Sequence, residues 1–205
     1  MKVVFDFGGV LFHWNPGALL RRELPHVVSD EGSAAHWVAK IFQGYGGDWG
    51  EFDRGTVDVP TLVQRIASRT GLLAADVQRV VDGVPHELQP KPDSVALLRR
   101  LHSAGHGLYF LSNMPEMFAD HLERTHDFMR LFRDGVFSSR VKHIKPASEI
   151  FHIAEQRFGH PAQELAFLDD TRANVEAACA LGWHGLHFTG AEQAARDLQA
   201  AGLAF

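Results

Sequence analysis

Cysteine is nearly absent from this chain of 205 residues, in which Cys179 stands alone. A single cysteine cannot form an internal disulfide, and such scarcity is typical of proteins kept in a reducing compartment. Cys179 lies in the apolar helical pattern NVEAACALG. We therefore expect it to be a small core residue rather than a nucleophile.

Three further absences narrow the class of protein. The chain has no run of basic residues and carries a formal net charge of −5, which argues against a nucleic-acid partner. No apolar run approaches the length of a membrane span. The first residues, MKVVFDF, place a carboxylate before any apolar region long enough for a secretory signal. We expect a cytoplasmic protein that acts on a small molecule, and the sequence leaves its oligomeric state open.

Short apolar segments alternate with helical patterns along most of the chain. The predicted strands are Val3 to Phe7 and residues 107–113, 134–139, 164–170 and 184–188. The helical patterns between them cover residues 91–105, 148–159 and 171–182, and each ends at or near a glycine. This alternation predicts an α/β fold with a parallel sheet covered by helices on both faces.

One region breaks the alternation. Residues 15–87 contain no convincing strand and are predicted to form a small α-helical cap domain, while residues 1–14 and 88–205 form the core. The predicted cap helices lie around residues 16–23, 33–42, 58–69 and 75–82. Between the second and third lies GYGGDWGEFDRG, which is predicted to be a glycine-rich loop. A helical insertion with such a loop is typical of a lid over a site.

Polar residues cluster where the predicted strands end. They are Asp6, Ser112, Asn113, Asp169 and Asp170, joined by Lys145 before one helix and Asn174 inside another. The carboxyl ends of parallel strands share one edge of the sheet, so we expect these side chains to meet there. Three carboxylates would repel one another strongly unless a cation joined them, and hard oxygen ligands suit Mg²⁺. A lysine and a hydroxyl nearby would hold phosphate oxygens.

Four segments resemble, in order and spacing, the four motifs of the haloacid dehalogenase superfamily. They are VVFDFGGVLF, LYFLSNMPE, KHIKPASEIF and LAFLDDTRANVEAA. The resemblance covers the core and implies a Rossmann-like domain with a helical cap inserted after the first strand. It also implies an enzyme, a hydrolase that works through a covalent aspartyl intermediate.

The resemblance assigns a role to each residue of the cluster. Asp6 would be the nucleophile, Lys145 would neutralise it and its intermediate, and Ser112, Asn113 and Lys145 would bind the substrate. The implied Mg²⁺ ligands are Asp6, the main-chain carbonyl of Gly8, Asp169 and Asp170.

The chain departs from the family pattern at Gly8. In most phosphatases of the family the residue two after the nucleophile is a second aspartate, which protonates the leaving oxygen and later activates water. General acid–base help of this kind is worth ~10²–10⁴-fold. His13 at the hinge into the cap is one replacement to consider, although a plain hinge histidine is the simpler interpretation.

We predict a Mg²⁺-dependent phosphatase of a small phosphorylated metabolite. The alternatives are a metal-independent 2-haloacid dehalogenase and a binding protein with little or no catalysis. A phosphonatase would need a cap lysine, for which only Lys40 is available. The cap decides the substrate, and Trp49, Phe52, Asp53 and Arg54 are its candidate residues, each of which could instead simply pack the cap against the core.

Overall fold

The computed structural model describes all 205 residues and contains one parallel sheet of five strands. The strands are β1 (Lys2–Phe5), β2 (Leu108–Ser112), β3 (Asp134–Phe137), β4 (Leu165–Asp169) and β5 (His184–His187). Their order across the sheet is β3-β2-β1-β4-β5. The predicted α/β fold with a parallel sheet is confirmed, and each predicted strand is present within about two residues of its expected ends.

Eleven helices surround or cover the sheet. They are α1 (Pro16–Glu23), α2 (Glu31–Phe42), α3 (Asp48–Asp53), α4 (Val59–Thr70), α5 (Ala74–Glu87), α6 (Pro92–Ser103), α7 (Glu116–Thr125), α8 (Ser138–Val141), α9 (Ser148–Phe158), α10 (Arg172–Ala180) and α11 (Ala191–Ala200). None of them has the length and apolarity that crossing a bilayer requires.

The central strand β1 is apolar because both of its faces are covered. Val3 and Phe5 point into the larger hydrophobic core, which also takes in the cap, whereas Val4 points into a smaller core under α9 and α10. All three side chains are fully buried. Burial on both faces explains why the strand appears as a continuous apolar run rather than an alternating one.

The topology places a crevice at the end of β1. The strand pairs with β2 on one side and β4 on the other, so the chain turns to opposite sides of the sheet from this point. Open α/β sheets bind ligands outside the carboxyl ends of the strands at such a switch point.

Helices α1 to α5 lie between β1 and β2 and form the inserted cap. The two chain segments that enter and leave it are tied together, since Phe12 and Pro90 form an antiparallel bridge and the His13 amide donates to the Gln89 carbonyl at 2.8 Å. Phe52 of the cap packs edge to face on Phe118 of the core. The division into a cap of residues 15–87 and a core of 1–14 and 88–205 stays a prediction.

Two local predictions are wrong. The segment GYGGDWGEFDRG is not a loop throughout, because Asp48–Asp53 forms α3, which buries Trp49 and Phe52. Cys179 is exposed rather than in the core. The neighbouring Ala178 takes the buried position on α10, since a helix turns adjacent residues to different faces.

Candidate active site

The site is assembled at the carboxyl ends of the three central strands. Asp6 directly follows β1, Ser112 is the last residue of β2 and Asp169 is the last residue of β4. All three are buried. The strand-end residues that the sequence singled out are therefore brought together by the order β2-β1-β4.

Lys145 is the cation of this cluster. Its ammonium lies 2.8 Å from the Asp6 carboxylate and 2.6 Å from that of Asp169, and the residue is only 3% exposed. Burial alone would lower the pKa of Lys145, but the charges of Asp169 and Asp6 outweigh it and raise the pKa above its usual value. The lysine is therefore charged and fixed against Asp6.

Asp169 uses both of its carboxylate oxygens within the protein. Oδ1 accepts from the Thr171 amide at 2.8 Å, and Oδ2 accepts from Lys145. The Asn174 amide, on the first turns of α10, donates to both oxygens at 3.1 and 3.0 Å. Asp169 therefore holds Lys145 in place, while the neighbouring Asp170 is exposed and has only a long contact of 3.5 Å with the Thr171 hydroxyl.

The three acids form a candidate metal-binding group. Asp6, Asp169 and Asp170 each offer a carboxylate oxygen, and these oxygens lie within 4.8 Å of one another. Burial raises the pKa of Asp6 to about 7 despite the opposing effect of Lys145. Burial, followed by the charge of Asp169, also raises the pKa of Asp170. The site holds more negative charge than Lys145 balances, which favours a cation.

The side chain of Asn113 positions the main chain of Lys145. Its side-chain Nδ2 donates to the Lys145 carbonyl at 3.0 Å, and its Oδ1 accepts from the Lys145 amide at 2.8 Å. Both ends of the amide are thereby used to position the lysine. Substrate binding by Asn113, as by Ser112 and Lys145, stays a prediction.

Two glycines shape the turn after Asp6 in different ways. Gly9 has φ +76°, and a Cβ there would lie 2.2 Å from an oxygen of Asp170, so only glycine fits. Gly8 has an ordinary backbone, and a Cβ added there would lie 3.7 Å from its nearest neighbour, the Cβ of Trp14. The Lys91 ammonium donates to the Gly9 carbonyl at 2.6 Å. Lys91 lies in the segment that leaves the cap, so this segment helps to fix the turn after Asp6.

A cavity of about 260 Å³ opens between these residues and the cap. Asp6, Lys145 and Asp170 line its core side. The rest of the lining is mostly apolar or aromatic; it includes Trp14, Tyr45, Trp49 and Val84 of the hinge and cap, and Leu88, Met114 and Phe118 of the core. The Trp14 indole donates to the Tyr45 hydroxyl at 2.7 Å, which ties the hinge segment to the cap loop.

The cap candidates separate into two groups. Trp49 and Asp53 line the cavity, whereas Phe52 packs on aromatic rings and Arg54 pairs with Glu51. His13 and Lys40 are exposed and do not line the cavity.

The sequence interpretation missed Tyr45 and Lys91. Tyr45 has a left-handed backbone at φ 63°, which no sequence pattern predicts for a tyrosine. Lys91 precedes the proline that begins α6, a position that looks like a solvated surface charge. In both cases the residue reaches the site through tertiary contacts that pattern analysis does not show.

Comparison with known proteins places this architecture in a family. A family model described as haloacid dehalogenase-like hydrolase matches residues 3–182. The chain is 29% identical over 190 residues to the sesquiterpene phosphatase astK of Aspergillus oryzae, covering 91% of this chain and 88% of that protein. It is 26% identical over 193 residues to an (S)-2-haloacid dehalogenase of Pseudomonas fluorescens, covering 88% and 80%.

A solved structure shows the same fold. The haloacid dehalogenase family enzyme of Bacteroides thetaiotaomicron, in complex with magnesium and inorganic phosphate, superposes with a TM-score of 0.71 at 19% identity. The match covers 91% of this chain and 92% of that one. The resemblance found in the sequence is confirmed: this protein belongs to the haloacid dehalogenase-like hydrolases.

Proposed function

We propose that this hydrolase is a Mg²⁺-dependent phosphatase that transfers a phosphoryl group to Asp6. The observation that carries the proposal is the combination of a buried lysine on Asp6 with an acidic pair, Asp169 and Asp170, beside it. A carboxylate that attacks phosphorus must be held in position by a group that balances its charge, and the transferred phosphoryl group must be surrounded by cations.

The donor set fits Mg²⁺. Asp6 and Asp170 have carboxylate oxygens close together, and no donor in the protein bonds the main-chain carbonyl of Gly8. These three groups would hold the ion, and Asp169 would contribute charge while it holds Lys145. When bound, Mg²⁺ would neutralise the phosphoryl oxygens. The superposed Bacteroides enzyme, crystallised with magnesium and phosphate, supports this assignment.

The residues of this chain divide the work. Asp6 attacks phosphorus and forms an aspartyl-phosphate, and Lys145 balances the charge that leaves the carboxylate and appears on the phosphoryl oxygens. The Ser112 hydroxyl, which lines the cavity, donates to one of those oxygens. Water then attacks the aspartyl-phosphate and regenerates Asp6.

The cap side of the cavity indicates the kind of substrate. Its wall is largely apolar and offers no basic side chain to a second phosphate or to a carboxylate. The space, about 260 Å³, suits a small monophosphate with an apolar or aromatic body. The similarity to a sesquiterpene phosphatase, whose substrate class is apolar by name, supports this choice.

Dehalogenation is the second candidate, because Gly8 provides no side-chain acid and displacement of halide needs none. The relationship to a 2-haloacid dehalogenase favours it. Against it stands the acidic pair, since a reaction without a metal gains nothing from the extra negative charge of Asp170 next to an anionic substrate. The absence of Lys40 from the cavity removes the lysine that a phosphonatase would need.

A small substrate panel tests the proposal. Purified protein is assayed with p-nitrophenyl phosphate, 2-phenylethyl phosphate and 2-chloropropionate, each with Mg²⁺ and with EDTA. We expect release of phosphate that depends on Mg²⁺ and no release of chloride. Chloride release that persists in EDTA would support the dehalogenase, and inactivity toward the whole panel would favour the non-catalytic alternative.

A further inference from the structure

With Asp170 assigned to the metal ion, the core side of the cavity has no carboxyl group left to protonate a leaving oxygen. Asp6 is the nucleophile, Lys145 and Asp169 pair with each other, and position 8 is glycine. An alkyl phosphate nevertheless loses a poor leaving group, which departs slowly without a proton. Any acid for this step must therefore come from the cap side of the cavity.

We propose that Asp53, the last residue of α3 in the cap, is the catalytic acid and base that the core lacks. The proposal rests on the phosphatase function given above. It assigns to the cap a part of the chemistry in addition to substrate selection.

The position of Asp53 carries the assignment. It lines the same cavity as Asp6, Gly8 and Lys145, although it comes from a different part of the fold. The residue is only 5% exposed, and its carboxyl group forms neither a hydrogen bond nor an ion pair with any group of the protein. Buried carboxyl groups ordinarily have partners, so one that faces a cavity without a partner is available to a ligand.

The core holds this part of the cap in place. The Ser138 hydroxyl donates to the main-chain carbonyl of Asp53 at 2.5 Å, and the Lys142 ammonium donates to that of Gly55 at 2.7 Å. Gly55 has φ +72°, and a Cβ there would lie 2.7 Å from the Ser139 carbonyl. This close approach leaves the side chain of Asp53 free while its backbone is anchored, as a group that must meet a leaving oxygen requires.

The electrostatic surroundings suit an acid. Burial raises the pKa of Asp53 well above its usual value, and Lys145 and Asp6 are the charged groups that act on it, in opposite directions. Tyr45, whose own pKa is raised to about 12 by burial, is the other titratable cap group at the cavity. Asp53 can thus carry a proton at a pH where an exposed aspartate cannot.

One proton passes from Asp53 to the leaving alcohol and is replaced from water. As the Asp6 oxygen bonds to phosphorus and the bond from phosphorus to the ester oxygen breaks, protonated Asp53 gives its proton to that oxygen and the alcohol leaves. Asp53, now a carboxylate, takes a proton from water as the water oxygen attacks phosphorus. The bond from phosphorus to Asp6 then breaks, phosphate leaves, and both aspartates return to their initial states.

The test compares two leaving groups in Asp53→Asn. p-Nitrophenolate leaves without taking up a proton, whereas the oxygen of 2-phenylethyl phosphate must be protonated before 2-phenylethanol leaves. We expect kcat/KM for 2-phenylethyl phosphate to fall by about 10²-fold or more, and kcat/KM for p-nitrophenyl phosphate to fall by less than about 10-fold. Rapid mixing with p-nitrophenyl phosphate should also show a burst of one nitrophenolate per enzyme, because the variant forms aspartyl-phosphate faster than it activates water.

Matched controls separate chemistry from structure. Asp82→Asn makes the same change on an exposed face of the cap helix α5 and should alter neither rate. Gly8→Asp combined with Asp53→Asn should restore part of the alkyl phosphate activity, since the backbone at Gly8 tolerates a Cβ. If Asp53→Asn does not fold, Asp53→Leu removes the acid with an apolar side chain and is measured in the same way.

Failure of the Asp53 role and failure of the phosphatase function give different results. Equal losses for both substrates without a burst, or no loss with the alkyl ester, would overturn the role of Asp53 and leave the phosphatase intact. Failure of the unsubstituted protein to hydrolyse either ester would instead overturn the proposed function itself.

Discussion

The two walls of the cavity are built in opposite ways. On the core side, Lys145 is bonded to Asp6 and Asp169, and Asp169 is bonded further to Asn174 and the Thr171 amide. On the cap side, the Asp53 carboxyl has no partner in the protein. The core therefore fixes the proposed nucleophile in the free protein, whereas the cap leaves the Asp53 carboxyl without a partner.

The backbone shows the same contrast. Gln43, Gly44 and Tyr45, which lead into α3, have consecutive left-handed φ values of 50°, 60° and 63°. Such a conformation costs a non-glycine residue roughly 1–2 kcal/mol. In the turn after Asp6 the left-handed position is a glycine, Gly9, which adopts it without that cost. Conformational strain at this site is thus concentrated in the cap.

The largest expected effect follows from removing the proposed nucleophile on the core side. Asp6→Asn keeps the shape but cannot attack phosphorus, so we expect turnover of p-nitrophenyl phosphate to fall by at least about 10³-fold. Mass spectrometry must show that the asparagine has not deamidated. Substantial turnover by a verified sample would exclude Asp6 as the nucleophile.

The second largest effect tests whether the core network is a single unit. Lys145→Met leaves two buried carboxylates without their cation, and breaking a buried pair in this way costs about 3–5 kcal/mol of unfolding free energy. Loss of the lysine raises the pKa of Asp6 in the folded protein further above the unfolded value. Stability is then lost as the pH rises through that pKa, so the deficit should be larger at pH 8 than at pH 5.

Urea unfolding at the two pH values, in EDTA, measures this deficit. Lys142→Met is the matched control, because Lys142 is exposed and donates one hydrogen bond, to Gly55. It should cost no more than about 1 kcal/mol. Equal costs for the two variants would contradict a special role for the buried pair.

The same contrast explains how far the sequence could predict the molecule. The acids and the hydroxyl of the core side were predictable because each of them follows or ends a strand, and strand ends in a parallel sheet must meet. Asp6, Ser112, Asp169 and Asp170 were found in this way. The sheet edge is dictated by local pattern together with topology.

The cap side could not be predicted in the same detail. The segment containing α3 has four glycines in eight residues, 43–50 being QGYGGDWG, and local propensity favours a loop there. Packing of Trp49 and Phe52 outweighs that preference. Asp53 appeared in the sequence as one of four cap candidates, and only the tertiary structure shows that it lines the cavity while Phe52 and Arg54 do not.

A smaller effect should separate the two glycines after Asp6. Gly9→Ala combines an unfavourable φ with a Cβ placed against Asp170, so we expect a loss of roughly 1–3 kcal/mol in stability and weaker binding of Mg²⁺. Gly8→Ala has neither problem and should be close to neutral. Thermal unfolding with and without Mg²⁺ compares them, and a Gly8→Ala variant as damaged as Gly9→Ala would mean that the turn requires both glycines.

The smallest expected effect is on the free energy of unfolding, which the buried and unpartnered Asp53 lowers at neutral pH. Because burial raises the pKa of Asp53 in the folded protein, folding is favoured when the group is protonated, and this contribution is lost as the pH rises from about 4 through the folded pKa. Asp53→Asn carries no charge at any pH. The variant should match the unsubstituted protein near pH 4 and be more stable than it at pH 7, a gain in stability at the expense of activity. Urea unfolding in EDTA across that range measures the difference, with Asp82→Asn as the exposed control that should show no such trend. A variant less stable than the unsubstituted protein at pH 7 would show that Asp53 is a structural part of the cap, and the contrast between the two walls would then fail at the residue on which it chiefly depends.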